Sequence, residues 1–146
     1  MYRKMTTIRI QKTHEQAVVP KAATEGDVGY DLTAIKFVKQ LTDNTYMWDT
    51  CVCVEPPVGY YTEIVPRSSI VKSGWFLSNS VGVIDQGYRG SLKICLTCIH
   101  DSTPMPSLPF TLCQLILKKA EPVVFELVDD LSSTTRGDGG FGSTNK

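Results

Sequence analysis

The chain has no surplus of charge: 15 Lys and Arg stand against 15 Asp and Glu, for a formal net charge of zero. Without a global field it does not gather nucleic acid or anionic membrane over its whole surface, so any anion site must be local. Long apolar runs are also missing. None approaches the roughly 18 residues of a membrane span, and Met1-Tyr-Arg-Lys-Met-Thr-Thr shows no secretory h-region. An intracellular, soluble protein is expected. Histidine is scarce: His14 and His100 are isolated and lack the spacing of a metal pair or a catalytic triad. Helical periodicity is absent too. No stretch sustains an i, i+3, i+4 stripe beyond one or two turns, and residues 68–76 offer the best candidate for a single helical turn. There is no internal repeat.

The five cysteines, Cys51, Cys53, Cys95, Cys98 and Cys113, are odd in number, which argues for reduced thiols. Cys51-Val-Cys53 with Cys95-Leu-Thr-Cys98 suggests a four-thiolate zinc site at first sight. However, residues 91–99 read as a strand, on which positions 95 and 98 point to opposite faces. Buried, inert cysteines are the expectation.

What the chain has is β pattern throughout. Residues 7–12 alternate, and residues 58–65, 91–99, 110–118 and 123–128 are short runs rich in Val, Ile, Leu, Tyr and Thr. Eight scattered prolines break most longer windows. Many short strands with frequent turns predict an all-β, single-domain antiparallel sandwich or jelly roll. Composition breaks only near Ser132, so a β domain over 1–131 and a glycine-rich arm over 132–146 are expected.

That arm, Arg136-Gly-Asp-Gly-Gly-Phe-Gly-Ser-Thr-Asn-Lys146, is not built like a core element, because glycine costs conformational entropy and packs nothing. On composition alone it reads as a linker or a disordered end. Yet it holds a guanidinium, accessible backbone N–H groups, two hydroxyls and a phenyl face, the groups that bind a phosphate and a flat ring. Residues 137–144 have the glycine spacing of a Walker A loop, but Ser143 stands in place of its lysine and no helix follows, so a P-loop is rejected.

Three further segments carry chemistry. Gly29-Tyr-Asp-Leu-Thr33 places an acid just after a glycine turn. Pro66-Arg-Ser-Ser69 sets an arginine and two hydroxyls after a proline. Asn79-Ser-Val-Gly-Val-Ile-Asp-Gln-Gly-Tyr-Arg-Gly90 joins a β-run to a lone acid and an aromatic beside glycines. Each has a structural explanation on its own: a surface ion pair for Arg67, a turn for Asp85, core packing for Tyr88. Together they supply arginines and hydroxyls for phosphates, two carboxylates and two aromatics.

In this order the segments resemble the trimeric, all-β dUTPase family. Gly29-Tyr-Asp-Leu32, Pro66-Arg-Ser68, Gly82-Val-Ile-Asp-Gln-Gly-Tyr-Arg-Gly90, Gln114-Leu-Ile116 and Arg136-Gly-Asp-Gly-Gly-Phe-Gly-Ser-Thr144 look like its five motifs. The third and fifth together are highly specific. The resemblance implies dUTP + H₂O → dUMP + pyrophosphate with Mg²⁺, by a homotrimer whose sites are shared between subunits. It implies that Asp85 activates the attacking water, that Asp31 acts around Mg²⁺ through coordinated water, and that Gln114 lies near the α-phosphate. Mg²⁺ held mainly by substrate phosphates needs no all-protein cage. Arg67 and Ser68, with the neighbouring Ser69, match phosphate-contacting positions. The backbone of Gly82, Val83 and Ile84, with Asn79, would read the uracil edge, and a fixed hairpin rejects cytosine by leaving polar groups unpaired. Tyr88 would pack under the deoxyribose and exclude a 2′-OH. Phe141, flanked by Gly140 and Gly142, would cover the uracil, with Arg136, Ser143 and Thr144 on the β- and γ-phosphates. No nucleic acid or membrane partner is implied, and the protein is expected in the cytoplasm or nucleus, or in the host cell interior if viral.

Two departures stand out. The fourth motif usually reads Gly-Asp-Arg, and here the matching stretch is Pro109-Phe-Thr111, without the arginine. The second usually continues with Gly, where Ser69 stands. The segment 69–80 looks more like that of some large DNA viruses than of familiar cellular members. Two alternatives remain. A dCTP deaminase shares the fold, but that chemistry needs a glutamate where this chain has Cys95, and no carboxylate lies in residues 89–100. A non-catalytic, nucleotide-binding regulatory homologue would be marked by loss of Asp85 or the arm, and neither is lost.

Overall fold

The computed structural model describes residues 4–143. Its strands are β1 (Arg9–Lys12), β2 (Gly29–Ala34), β3 (Lys36–Thr42), β4 (Thr45–Asp49), β5 (Val52–Glu55), β6 (Tyr60–Pro66), β7 (Trp75–Leu77), β8 (Gly82–Ile84), β9 (Lys93–Cys98) and β10 (Phe110–Lys119). One 3-10 turn, Ser68–Lys72, follows β6, where a single turn was expected. All pairings between these strands are antiparallel. They form two four-stranded sheets, ordered β2-β10-β6-β8 and β3-β4-β9-β7, and a two-stranded ribbon β1-β5. The expected all-β sandwich is observed.

Where one face of a strand meets the core, alternation is visible. Ile94, Leu96 and Cys98 are buried on β9 while Lys93, Cys95 and Thr97 are only partly so. On β6, Thr62 and Ile64 point inward. The sheets meet around Trp48 of β4, whose ring packs edge-on against Phe110 of β10 at 5.3 Å and Trp75 of β7 at 5.7 Å between centroids. Such T-shaped pairs add to the burial of large apolar surface. The Trp75 indole N–H donates to the Pro104 carbonyl at 3.0 Å, so its polar atom is satisfied.

All five cysteines are free, and four are buried, Cys95 being half-buried. Burial pushes the Cys113 thiol up to about 12, which keeps it neutral. Among the described residues, no helix is long and apolar enough to cross a membrane.

Two expectations need correction. Residues 123–128 form no strand, and Val124, Phe125 and Leu127 are almost fully exposed. Their composition suits a strand, but a strand exists only when another pairs with it, and among the described residues none pairs with this segment. Gly29 is no turn residue: it opens β2 and is buried in the sheet.

Candidate active site

β10 runs down the middle of its sheet, between β2 and β6, and this sets the first half of the site. In register, Gln114 lies opposite Asp31 on one side and Val65 on the other. Between Phe110↔Ala34 and Cys113↔Leu32, β10 carries one more residue than β2, a bulge at Thr111 and Leu112. Bulges turn backbone groups out of the ladder. Here the two released carbonyls both serve Arg67: its backbone N–H donates to the Leu112 carbonyl at 2.9 Å, and its Nη1 donates to the Thr111 carbonyl at 2.8 Å. Arg67 Nε lies 3.0 Å from Asp31 Oδ1, with both side chains mostly covered. The Thr111 hydroxyl meets that of Thr33 at 3.1 Å. The bulge thus stands where the expected fourth-motif arginine is missing, and it anchors the arginine of the second motif instead.

Gln114 donates from Nε2 to the Pro66 carbonyl at 3.1 Å. Its amide fills the space over Gly29, where a Cβ would collide with it. A side chain at this position would push the Gln114 amide aside. Ser68 and Ser69 are exposed on the 3-10 turn beside this cluster. Asp31, Arg67 and Gln114 are therefore brought together, with both serines at the rim.

The second half of the site lies elsewhere. β8 pairs with the other edge of β6, Gly82 opposite Ile64 and Ile84 opposite Thr62. Just before it, Ser80 adopts φ +59° and the Asn79 carbonyl accepts the Val81 N–H, a tight turn between β7 and β8. The Asn79 amide sits against Gly82, where a Cβ would come within 3.2 Å of Nδ2. Asp85 follows β8, is exposed, and starts a turn closed by the Tyr88 N–H on its carbonyl at 3.0 Å. The Tyr88 hydroxyl donates to the Ser91 carbonyl at 3.2 Å.

The register separates the two halves. Asp85 leaves the sheet near the level of Tyr61, whereas Asp31 and Gln114 sit at the level of Val65 and Arg67 lies beyond the strand's end; the offset along β6 and just past it is four to six positions, roughly 13–20 Å at the rise of extended chain. Within one chain, Asp85 is out of reach of an atom touched by Gln114.

The arm forms a third group, folded on itself. Arg136 Nε donates to the Gly139 carbonyl at 3.0 Å, and the Ser143 N–H donates to the Gly140 carbonyl at 3.0 Å. Arg136, Gly139, Gly140, Phe141, Gly142 and Ser143 line a cleft of about 400 Å³ to which no other described residue contributes. Gly137, Phe141 and Gly142 have φ of +55°, +51° and +82°, a left-handed path that is inexpensive at the two glycines, and the Phe141 ring is fully exposed. Thr144 lies outside the described residues.

Sequence reasoning missed Thr111, Thr33 and Glu55. The threonines work through one carbonyl and one hydroxyl pair, which no spacing announces. Glu55 precedes two prolines and belongs to no motif, yet it faces the Asp85 loop through Arg89 at 3.5 Å.

The family model described as dUTPase matches residues 15–145. The deoxyuridine 5′-triphosphate nucleotidohydrolase of Clostridioides difficile is 34% identical over 141 residues, covering 96% of this chain and 99% of the relative. That of Corynebacterium glutamicum is 33% identical over 144 residues, covering 97% of each. Among solved structures, a mutant dUTPase of Staphylococcus bacteriophage 80alpha with dUpNHpp superposes with a TM-score of 0.79 at 21% identity, over 96% of this chain and 99% of that one. A mutant dUTPase from phage phi11 of S. aureus, whose structure is described as revealing the coordination of a structural Mg(II) ion, superposes at 0.71 with 19% identity, over 87% and 99%. At these identities the two phage structures bear on the fold alone.

Proposed function

The chain belongs to the dUTPase family and is a hydrolase acting on dUTP, and from that premise we propose how its residues divide the work. Asp85 is the general base. Its exposed carboxylate takes a proton from the water that attacks the α-phosphorus, giving dUMP and pyrophosphate, a role for which a positioned carboxylate is suited. Gln114 orients the α-phosphate, and Arg67, Ser68 and Ser69 hold phosphate oxygens. Charge-assisted donors fixed before the substrate arrives stabilise negative charge that develops during attack. Arg67 is prepared for this by the Thr111 carbonyl and the Asp31 carboxylate, which set its plane.

The donor set fits magnesium in one way. The cluster offers a single carboxylate, Asp31, and the Gln114 amide, all hard oxygen or amide groups and too few for an all-protein cage. Asp31 would reach the ion through water, with substrate phosphates as the main ligands. When bound, Mg²⁺ neutralises the triphosphate and favours one conformer of it.

Substrate choice rests on β8 and the arm. The backbone of Gly82, Val83 and Ile84 with the Asn79 amide reads the uracil edge, and Tyr88 packs against the deoxyribose. The arm over 132–146 closes the site, with Phe141 on the base and Arg136, Ser143 and Thr144 on the outer phosphates. A rigid polar edge rejects an analogue that leaves its groups unpaired by a large factor.

The separation of Asp85 from the Asp31–Arg67–Gln114 cluster along β6 is the observation that carries the assembly. Two halves roughly 13–20 Å apart in one chain act on one phosphorus only if each comes from a different chain. This supports a homotrimer with three shared sites.

A deaminase reading finds no support: β9 presents Cys95 rather than a carboxylate, and none lies between Lys93 and Cys98. Pyrophosphate release measured with dUTP, dCTP, dTTP and UTP side by side in Mg²⁺ tests the function. Turnover confined to dUTP is expected. Ammonia release from dCTP, or silence with dUTP, contradicts it.

A further inference from the structure

The loop from Asp85 to Ser91 carries the proposed base and the sugar-facing Tyr88, and it has few anchors of its own. Gly87 and Gly90 lie within it, and residues 87–90 are all exposed. One side chain of the loop gathers its backbone: Arg89 Nη1 donates to the Gln86 carbonyl at 2.6 Å and to the Tyr88 carbonyl at 3.1 Å. The same guanidinium presents Nη2 to Glu55 Oε1 at 3.5 Å. Glu55 is the last residue of β5, whose Val52 and Val54 are buried in the core, so its carboxylate stands on a rigid strand. Its other oxygen, Oε2, receives Arg9 Nη1 at 2.7 Å from the paired strand β1. Gln86 Nε2 reaches back toward the Pro56 carbonyl at 3.4 Å. The Arg89 guanidinium is thus a rivet: Nη1 holds the loop carbonyls of Gln86 and Tyr88, and Nη2 is tied to a strand that belongs to the core.

We infer that Glu55 is a positioning residue for the reaction, acting through Arg89 to fix the loop that presents Asp85 and Tyr88. The inference rests on the reading of Asp85 as base and Tyr88 as the sugar contact. Its physical basis is that catalysis by a positioned group is steep in distance. A displacement on the order of 1 Å lowers the rate by about a hundredfold, while an exposed ion pair adds little to stability. Loss of Glu55 therefore shows in turnover and selectivity, not in folding. Glu55 belongs to none of the motif segments, and Arg89 gains a role beyond filling a motif position.

A double-mutant cycle of Glu55→Gln and Arg89→Gln tests this. The readouts are kcat at saturating dUTP, the preference for dUTP over UTP, and the thermal midpoint. Glu55→Gln is expected to lower kcat by about tenfold and to weaken the preference against UTP, with a midpoint within about 3 °C of wild type. In the Arg89→Gln background the same change is expected to cost less than about twofold, because the two act as one device. Unchanged kcat in Glu55→Gln, independent multiplicative losses in the double variant, or a loss matched by unfolding overturns the inference. A wild-type protein silent on dUTP strikes the function itself, whereas an active wild type with an indifferent Glu55→Gln strikes only the positioning role.

Discussion

At the scale of single residues, the site is a set of ordinary side chains placed by backbone. Arg67 reaches its orientation because a bulge frees two carbonyls, and Gln114 reaches its own because Gly29 leaves room. Asp85, the proposed base, stands exposed just past the end of β8. Asp85→Asn keeps shape and loses the proton acceptor, so kcat is expected to fall by about 10²–10⁴ while nucleotide binding stays near wild type. Stopped-flow proton release and equilibrium titration with a non-hydrolysable dUTP analogue measure the two separately. Retained turnover removes Asp85 as base. Asp31, Arg67 and Asp85 stood out as candidates because each lies in a short segment holding a glycine or a proline, and the segments follow one another in a particular order. Glu55 and Thr111 were not, because each acts through a contact set by tertiary register, which leaves no local trace.

At the scale of elements, β10 is the organiser. Among the described strands it alone pairs with both β2 and β6, so it aligns Asp31 with Gln114 and Gln114 with the end of β6. Leu115, beside Gln114 and 2% exposed, holds it to the core. Leu115→Ala leaves a cavity and is expected to cost about 2–5 kcal/mol, read as a lower urea midpoint with an unchanged slope. The arm behaves differently, since among the described residues it makes its hydrogen bonds within itself. Removing residues 132–146 is expected to lower turnover by about 10²-fold or more, as loss of preorganised donors does, with the thermal midpoint within about 3 °C. Full activity in the truncated protein contradicts the closing arm. Strands were readable in the chain where one face is buried, as on β6, β9 and β10. β3 was not, since its polar and apolar positions show no simple alternation; β1, just as exposed, was readable because it alternates. Residues 123–128 misled for the opposite reason: they have strand composition without a partner strand among the described residues.

At the scale of the whole molecule, the family match covers residues 15–145, and the register of β6 bears on how the proposed site is assembled. The two proposed halves of the nucleotide site lie apart along β6 within one chain. A cyclic assembly resolves this, because a heterologous interface brings one end of a chain's sheet against a different part of its neighbour. Sequence alone reached this arrangement only by resemblance; the register supplies a physical ground for it. Mixing two inactive variants, Asp31→Asn and Asp85→Asn, in equal amounts by co-expression and measuring pyrophosphate release from dUTP is the most direct test. If each site takes Asp31 from one chain and Asp85 from another, random assembly leaves about a quarter of sites intact, and activity is expected to return to about that fraction of wild type. If the mixture stays as inactive as either variant alone while the wild type turns over dUTP, both acids act within one chain and the account of a shared site is wrong.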